Sequence, residues 1–360
     1  MMYKTYGKTG LKISAVSFGA MRFANPQNIE ANAEVVLHAY GKGINYFDTA
    51  PYYCDDHSED IVGAALRQMK PGTFYVSTKC SNPAGGELRK SLERSLQRLG
   101  VPKIDFFHIW CVIRPEQWGQ RKSGGAVAEA IKAREEGLIG HIAISSHMTG
   151  DHIGEVLREG IVEGVTMGYS AINFPYRQAA LDAAGKAKCG VVAMNPLAGG
   201  LIAWNAERFS FLRAADDVDT VSAALRFVVS QPAITSALVG FTTKAHVDQA
   251  VAGMQHFTPY PAAHIAAVKK HIEASFDGLC TGCGYCLPCP QGVEIPSLMD
   301  AYNHKLLGGD SFVNRLRWHW ELKPAAADKC NQCGACLTQC TQQLPIVERL
   351  AEISTAGKEK

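Results

Sequence analysis

Charge of one sign is scarce in this 360-residue chain: 36 Lys and Arg face 34 Asp and Glu, a formal net charge of +2. That balance offers no basic field for a nucleic acid and no polybasic segment for an anionic membrane surface, so neither partner is expected. Long apolar runs are missing too. None approaches the roughly 18 residues of a membrane-spanning helix, and the opening MMYKTYGKTG lacks the apolar core of a secretory signal. A cytoplasmic protein is expected. In that compartment the twelve cysteines are kept reduced or bound to metal rather than paired. Also absent is the glycine-rich fingerprint of an open dinucleotide-binding sheet, since AVSFGAMRFANP holds a single glycine.

The residues that are present alternate short β-branched or aromatic runs with longer amphipathic ones, the pattern of strand–helix units around a parallel sheet. Strands are expected at 15–19, 44–49, 74–79, 104–112, 141–146, 164–169, 191–195 and 237–241. Between them lie segments such as ELRKSLERSLQRLG, where Leu88, Leu92, Leu96 and Leu99 recur at helical spacing and Gly100 supplies a stop. Eight such steps in about 250 residues predict an α/β chain folded as a (β/α)8 TIM barrel, with its chemistry where strands end and loops begin. The barrel is expected over 1–270, a small mainly helical domain over 275–350 and a terminal tail over 351–360.

At the expected strand ends stands a chemical constellation. Asp48 closes the second strand, Tyr53 follows on its loop, and Lys79 closes the third. An ammonium beside a phenol favours the phenolate, and a carboxylate beside the ammonium fixes its place and charge, so Tyr53 is expected to release a proton near neutral pH. Reduction of a carbonyl needs such an acid for the oxygen while hydride reaches the carbon.

Around these residues the chain resembles the aldo-keto reductase family. The stretches are GKTGLKISAVSFGAM, INYFDTAPYY, FYVSTK, LRKSLERSLQRLG, IDFF and NPLAGG, over about residues 3–255. The resemblance implies NAD(P)H bound in extended form at the C-terminal face of the barrel. It gives Asp48, Tyr53 and Lys79 the places of three of the family's four catalytic residues. The fourth, a histidine, falls at Trp110, with His108 two residues earlier on the same side of the strand. Either a bulge lifts His108 to the mouth or an aromatic wall replaces the histidine.

For the cofactor the resemblance implies contacts from Gly19, Met21, Asp48, Ser145, Ser146, Tyr169, Met194, Pro196, Leu197, Gly240, Thr242, His246 and Gln249. Ser145 and Ser146 stand at the family's Ser-Asn pair, Tyr169 at its usual glutamine, Met194 at its stacking tyrosine, and Ala250 at an adenine-binding asparagine. Lys244 and His246 are the cations expected nearby, with no arginine for a 2′-phosphate. Met21, Phe23, Trp110 and Trp118 would suit an apolar or aromatic substrate, and Arg114, Glu116 and Trp118 belong to a loop that shapes the substrate pocket in relatives.

The cysteines fall in two runs, CTGCGYCLPCP and CNQCGACLTQC. Three thiolates at two-residue gaps wrap one corner of an iron–sulfur cubane, and in two-cluster ferredoxins each trailing cysteine binds the other run's cluster. On that pattern Cys280, Cys283, Cys286 and Cys340 hold one 4Fe-4S cluster, and Cys330, Cys333, Cys336 and Cys289 the second. Structural zinc usually takes two separated CxxC pairs instead. The segments IPSLMDAYNHKLLGG and SFVNRLRWHWELKP between the runs read as helices. Together with the barrel, this tail resembles the subgroup of aldo-keto reductases that carry a C-terminal ferredoxin-like 4Fe-4S domain. Three functions follow: an NAD(P)H-dependent reductase of a small carbonyl compound, a reductase fed by a ferredoxin, or a non-catalytic redox carrier or sensor.

Overall fold

The structure, a computed structural model, describes residues 1–148, 150–275, 278–280, 282, 284–307, 312–320 and 322–356. Eight parallel strands close a barrel in the order β10-β3-β4-β5-β6-β7-β8-β9. They are β3 Val16–Gly19, β4 Tyr46–Asp48, β5 Tyr75–Cys80, β6 Ile104–Val112, β7 Ile139–Ser146, β8 Gly164–Gly168, β9 Gly190–Met194 and β10 Ser236–Gly240. Before them a hairpin, β1 Tyr3–Thr5 paired antiparallel to β2 Lys12–Ser14, lies outside the sequence expectations.

Strand alternation sorts the side chains. Phe18, Phe47, Val76, Phe107, Ile109, Ile142, Ile144 and Val165 face the helical shell and join its apolar core. Tyr46, Phe106 and Val192 face inward at the bottom, where Tyr6, between the hairpin strands, plugs the barrel. Its ring centroid lies 4.4 Å from that of Phe106. Two glycines make room for the plug. A β-carbon on Gly164 would lie 1.8 Å from the Tyr6 hydroxyl oxygen, and one on Gly190 would lie 2.3 Å from its ring.

The helix Gly85–Leu99 buries Leu88, Leu92 and Leu99 against the sheet and ends at Gly100, whose φ of 68° is left-handed. Each buried leucine stabilises the packing by about 1.5–3 kcal/mol. Near its end β6 slips register between Ile109 and Val112, with Cys111 at φ 58°, the geometry of a β-bulge.

Helix Ala262–Ser275 returns across the barrel, burying Val268 and Ile272 in its shell. Beyond it the helices Ile295–Leu306, Phe312–His319 and Ile346–Ala356 build a second small core around Leu298, Met299, Leu316, Leu350 and Ile353. The last helix thus runs past residue 350, the expected end of this unit. Asn303 clamps the first cysteine of the tail: Cys280 N–H donates to its Oδ1 at 2.8 Å, and its Nδ2 donates to the Cys280 carbonyl at 2.6 Å. Among the described residues no helix is long and apolar enough to cross a membrane.

Candidate active site and cysteine cavities

Asp48 and Lys79, both inward-facing and each 2% exposed, meet at the barrel mouth with Nζ 2.5 Å from Oδ1. Ser77 Oγ donates to the other carboxylate oxygen, and the ammonium also donates to the Thr49 carbonyl at 2.7 Å. The pair is therefore satisfied by hydrogen bonds, as a buried ion pair must be. Burial pushes the Lys79 pKa down, while the Asp48 charge opposes the shift. Tyr53 is brought to the ammonium by a turn in which Tyr52, Cys54, Asp55 and Asp56 all have positive φ, and Arg98 pins that turn through Asp56 and Asp60, each at 2.7 Å. Lys79 Nζ lies 5.3 Å from the Tyr53 ring centroid. The expectation of a phenol acidified toward neutral pH is corrected here. Burial raises the Tyr53 pKa well above the usual phenol value, and the Asp48, Cys111 and Cys54 charges push the same way.

His108 stays deep. It is 0% exposed, pairs with Lys79 across the ladder, and shares a 2.9 Å hydrogen bond between Nε2 and Thr166 Oγ1. Burial, helped by the Lys79 charge, lowers its pKa to about 4, so the ring is neutral. The bulge exists but follows His108 instead of lifting it. Trp110, on the bulge, takes the position at the mouth: its ring lies 5.6 Å from Tyr53 at 83°, edge to face. A cavity of about 340 Å³ opens there, lined by Tyr52, Lys79, Trp110, Asn82, Lys90 and Arg94 among others. The lining mixes these polar groups with Pro51, Pro83 and Trp110, and of the four residues expected to form an apolar wall only Trp110 borders it. Phe23 and Trp118 are buried in the helical shell and Met21 points to solvent.

Across the mouth, Pro196, Leu197, Gly240, Thr242, His246 and Gln249 line one cavity of about 350 Å³, together with Ala250. Arg22 also lines it, packed on Gly240, correcting the expectation that no arginine stands nearby. The signal was topological: β10 pairs with β3, so the loop after Gly19 lies beside Gly240. Ser145 and Met194 lie an even number of residues along their strands from the inward-facing His141 and Val192, and so face the interior near the rim. Ser146 instead donates to the Val112 carbonyl at 3.0 Å. Tyr169 turns outward, stacks on Phe227 and donates to Gln178 at 2.9 Å, so it does not reach a ligand at the mouth. It follows Met167, an outward position of β8, which is why the match by sequence position misplaced it.

The cysteines line two cavities. One, of about 390 Å³, is bounded by Cys289, Cys330, Cys333 and Cys336. The charges of Cys330, Cys289 and Cys333 add to burial in raising the Cys336 pKa, which places all four as neighbours. The other is small, walled by Ile295, Met299, Leu344 and Ile346, and is reached by Cys280, Cys286 and Cys340. Cys286 also borders the larger cavity, and Cys283 lies outside the described residues. Backbone N–H groups of Gly282 and Leu344 point at the sulfurs of Cys280 and Cys340, each at 3.4 Å. Among the described residues no three His, Cys, Asp or Glu side chains are gathered as for a single metal ion. Thiols spread round a cavity, with amides on the sulfurs, fit a multi-iron group. The larger cavity is also lined by Arg114 and Gln117; the stretch expected as a loop after β6 is helical from Pro115 to Ser123, with Arg114 as its N-cap.

Residues 15–273 match the model of the aldo/keto reductase family. The chain belongs to that family of oxidoreductases. Residues 279–345 match a 4Fe-4S dicluster domain, so an iron–sulfur domain follows the barrel. L-galactose dehydrogenase of Arabidopsis thaliana is 36% identical over 116 residues, 29% of this chain and 36% of that protein, so the chain spans little more than a third of that relative. D-threo-aldose 1-dehydrogenase of a Pseudomonas species is 25% identical over 296 residues, covering 67% of this chain and 89% of that one. An aldo-keto reductase of Klebsiella pneumoniae, solved in complex with NADPH, superposes with a TM-score of 0.63 at 19% identity, covering 75% of this chain and 95% of that one. That likeness speaks for the fold.

Proposed function

We propose that the barrel reduces a polar carbonyl compound with NAD(P)H, and that Tyr53 gives the proton. The observation that carries this reading is the buried Asp48–Lys79 pair with Tyr53 beside it at the mouth. When bound, the nicotinamide supplies hydride; the chain's own groups do the rest. Tyr53 starts as the neutral phenol that an acid must be, because its pKa is raised. Lys79, held by Asp48, stabilises the negative charge left on the phenol oxygen as the proton leaves. Trp110 walls the site and excludes water where the family places a histidine. The Arg22, Thr242, His246 and Gln249 cavity would hold the far end of the dinucleotide, and the glycine there leaves space that Arg22 already fills. Lys90, Arg94 and Asn82 at the mouth favour a hydroxylated substrate, consistent with the aldose named for one relative.

Two 4Fe-4S clusters are proposed for the tail, one held by Cys280, Cys283, Cys286 and Cys340, the other by Cys289, Cys330, Cys333 and Cys336. They would supply single-electron chemistry beside a two-electron site. A second reading, reduction fed by a ferredoxin, is favoured by one observation: the segment from Trp110, near the end of β6, to Gln117, in the first turn of helix Pro115–Ser123, runs from the mouth to the larger cysteine cavity. The electron donor that supports turnover, with one variant for each, separates the readings. On the first, Tyr53→Phe lowers NADPH-dependent turnover of a test aldose by at least about 10²-fold, while quenching of NADPH fluorescence on binding persists. On the second, wild-type protein turns over with reduced ferredoxin but not with NADPH, and Cys283→Ser abolishes that turnover.

A further inference from the structure

The two cysteine cavities differ in what surrounds them. The larger one opens outward. Cys333 is exposed, and Leu287, which lines the same cavity, is 42% exposed. The smaller one is enclosed by apolar side chains of the tail, and the peptide leaving it is pressed against the barrel. Thr341 and Gln342, immediately after Cys340, are buried at 6% and 5% exposure.

The group that receives them is Arg177, from helix Phe174–Lys186 after β8, and it is 3% exposed. Its guanidinium donates to the Thr341 carbonyl and, at 2.8 Å, to the His147 carbonyl on the loop after β7. A β-carbon on Gly168, at the rim of β8, would lie 3.9 Å from Arg177 Nε, so the side chain crosses from rim to tail. Next to it the His147 ring, 9% exposed, meets Tyr285 edge to face at a centroid distance of 4.5 Å. Tyr285 precedes Cys286. Neither His147 ring nitrogen has a hydrogen-bond partner among the described residues. Burial and the Arg177 charge hold its pKa down to about 3, so the positive charge of this junction is on Arg177.

A group held by four thiolates carries net negative charge, and its potential follows nearby charge, hydrogen bonding and solvent exposure. We propose that Arg177 is a positioning residue that seals the cluster site bordered by Cys280, Cys286 and Cys340 against the barrel rim and raises the reduction potential of that site alone. The other site faces solvent, where Arg114, half-buried in an open cavity, is screened. The two sites thereby become unequal: an enclosed one joined to the barrel and an exposed one facing outward. This inference rests on the two-cluster reading above.

The test is a potentiometric titration followed by EPR on full-length, anaerobically reconstituted protein, with a gadolinium chelate added to broaden the signal of a solvent-facing centre. Wild type should show two signals, one broadened by the chelate. Arg177→Met should lower the midpoint potential of the unbroadened signal and leave the other in place, and Arg177→Lys should restore most of the difference. Iron content equal to wild type, with neither potential moved or with the broadened one moved, would overturn the role of Arg177. Loss of one signal in Arg177→Met with full recovery in Arg177→Lys supports the sealing role, since charge alone then suffices to keep the site closed. Wild-type protein that binds no iron would sink the two-cluster reading, and the inference with it.

Discussion

His108 shows how a single buried ring couples the site to stability. Its pKa of about 4 in the folded chain lies below the ordinary 6.5, because burial and the Lys79 charge oppose protonation, while the Asp48 charge acts the other way. As pH falls through 6.5 the unfolded chain takes up a proton that the folded chain refuses. The contribution of this ring is therefore fully present above about pH 6.5 and declines as pH drops toward 4, by up to about 1.4 kcal/mol per pH unit. His147, held near 3, adds a loss of the same sign. His108→Asn should show a flatter fall of the urea midpoint between pH 7 and pH 5 than wild type. Parallel curves would mean that His108 does not titrate as a buried neutral ring. Tyr53 differs in kind. Its phenol stays protonated through neutral pH, so turnover in the reducing direction should not decline for want of that proton between pH 6 and 8.

The strands and helices were legible because the sheet repeats one pattern. Residues 104–112 were expected as a strand and form one, Ile104–Val112, since Phe107 and Ile109 must face the shell while Phe106 and His108 face inward. The bulge at Cys111 was legible only as an alternative, because it is set by pairing with β7 and not by local preference. The plug is a stronger case of long-range control. Nothing near Gly164 or Gly190 in sequence announces that Tyr6 needs their hydrogens, and the hairpin that delivers Tyr6 was missed. Gly164→Ala should cost about 1–3 kcal/mol by overpacking, read as a lower urea midpoint with an unchanged slope. Tyr6→Leu in the same background should recover much of the loss, because it removes the clashing hydroxyl, which is itself buried without a hydrogen-bond partner among the described residues. A Gly164→Ala protein as stable as wild type would show that the plug is loosely seated.

At the scale of the whole molecule, two units, each with its own core, meet where Arg177 reaches the Thr341 carbonyl and where Leu279 and Leu307 join the apolar core of the barrel. The cysteine pattern made the tail legible because thiol spacing is a local property. The placement of the tail against the barrel rim was not legible, since it depends on Arg177 finding a carbonyl 164 residues away. The proposed exchange of trailing cysteines would tie the two ends of the tail together and can be checked directly. Cys289 follows the first run in sequence yet lines the cavity of the second, and Cys340 follows the second run yet lines the cavity of the first. If each site holds one cluster, Cys289→Ser should spare the enclosed signal and remove the chelate-broadened one, with iron per chain falling by about half. Cys340→Ser should do the reverse. An uncrossed arrangement predicts the opposite assignment for both variants, so iron analysis with EPR on the pair distinguishes them. Because cluster binding contributes to folding, either variant should also lower the first unfolding transition on heating, that of the tail, while leaving the barrel transition in place.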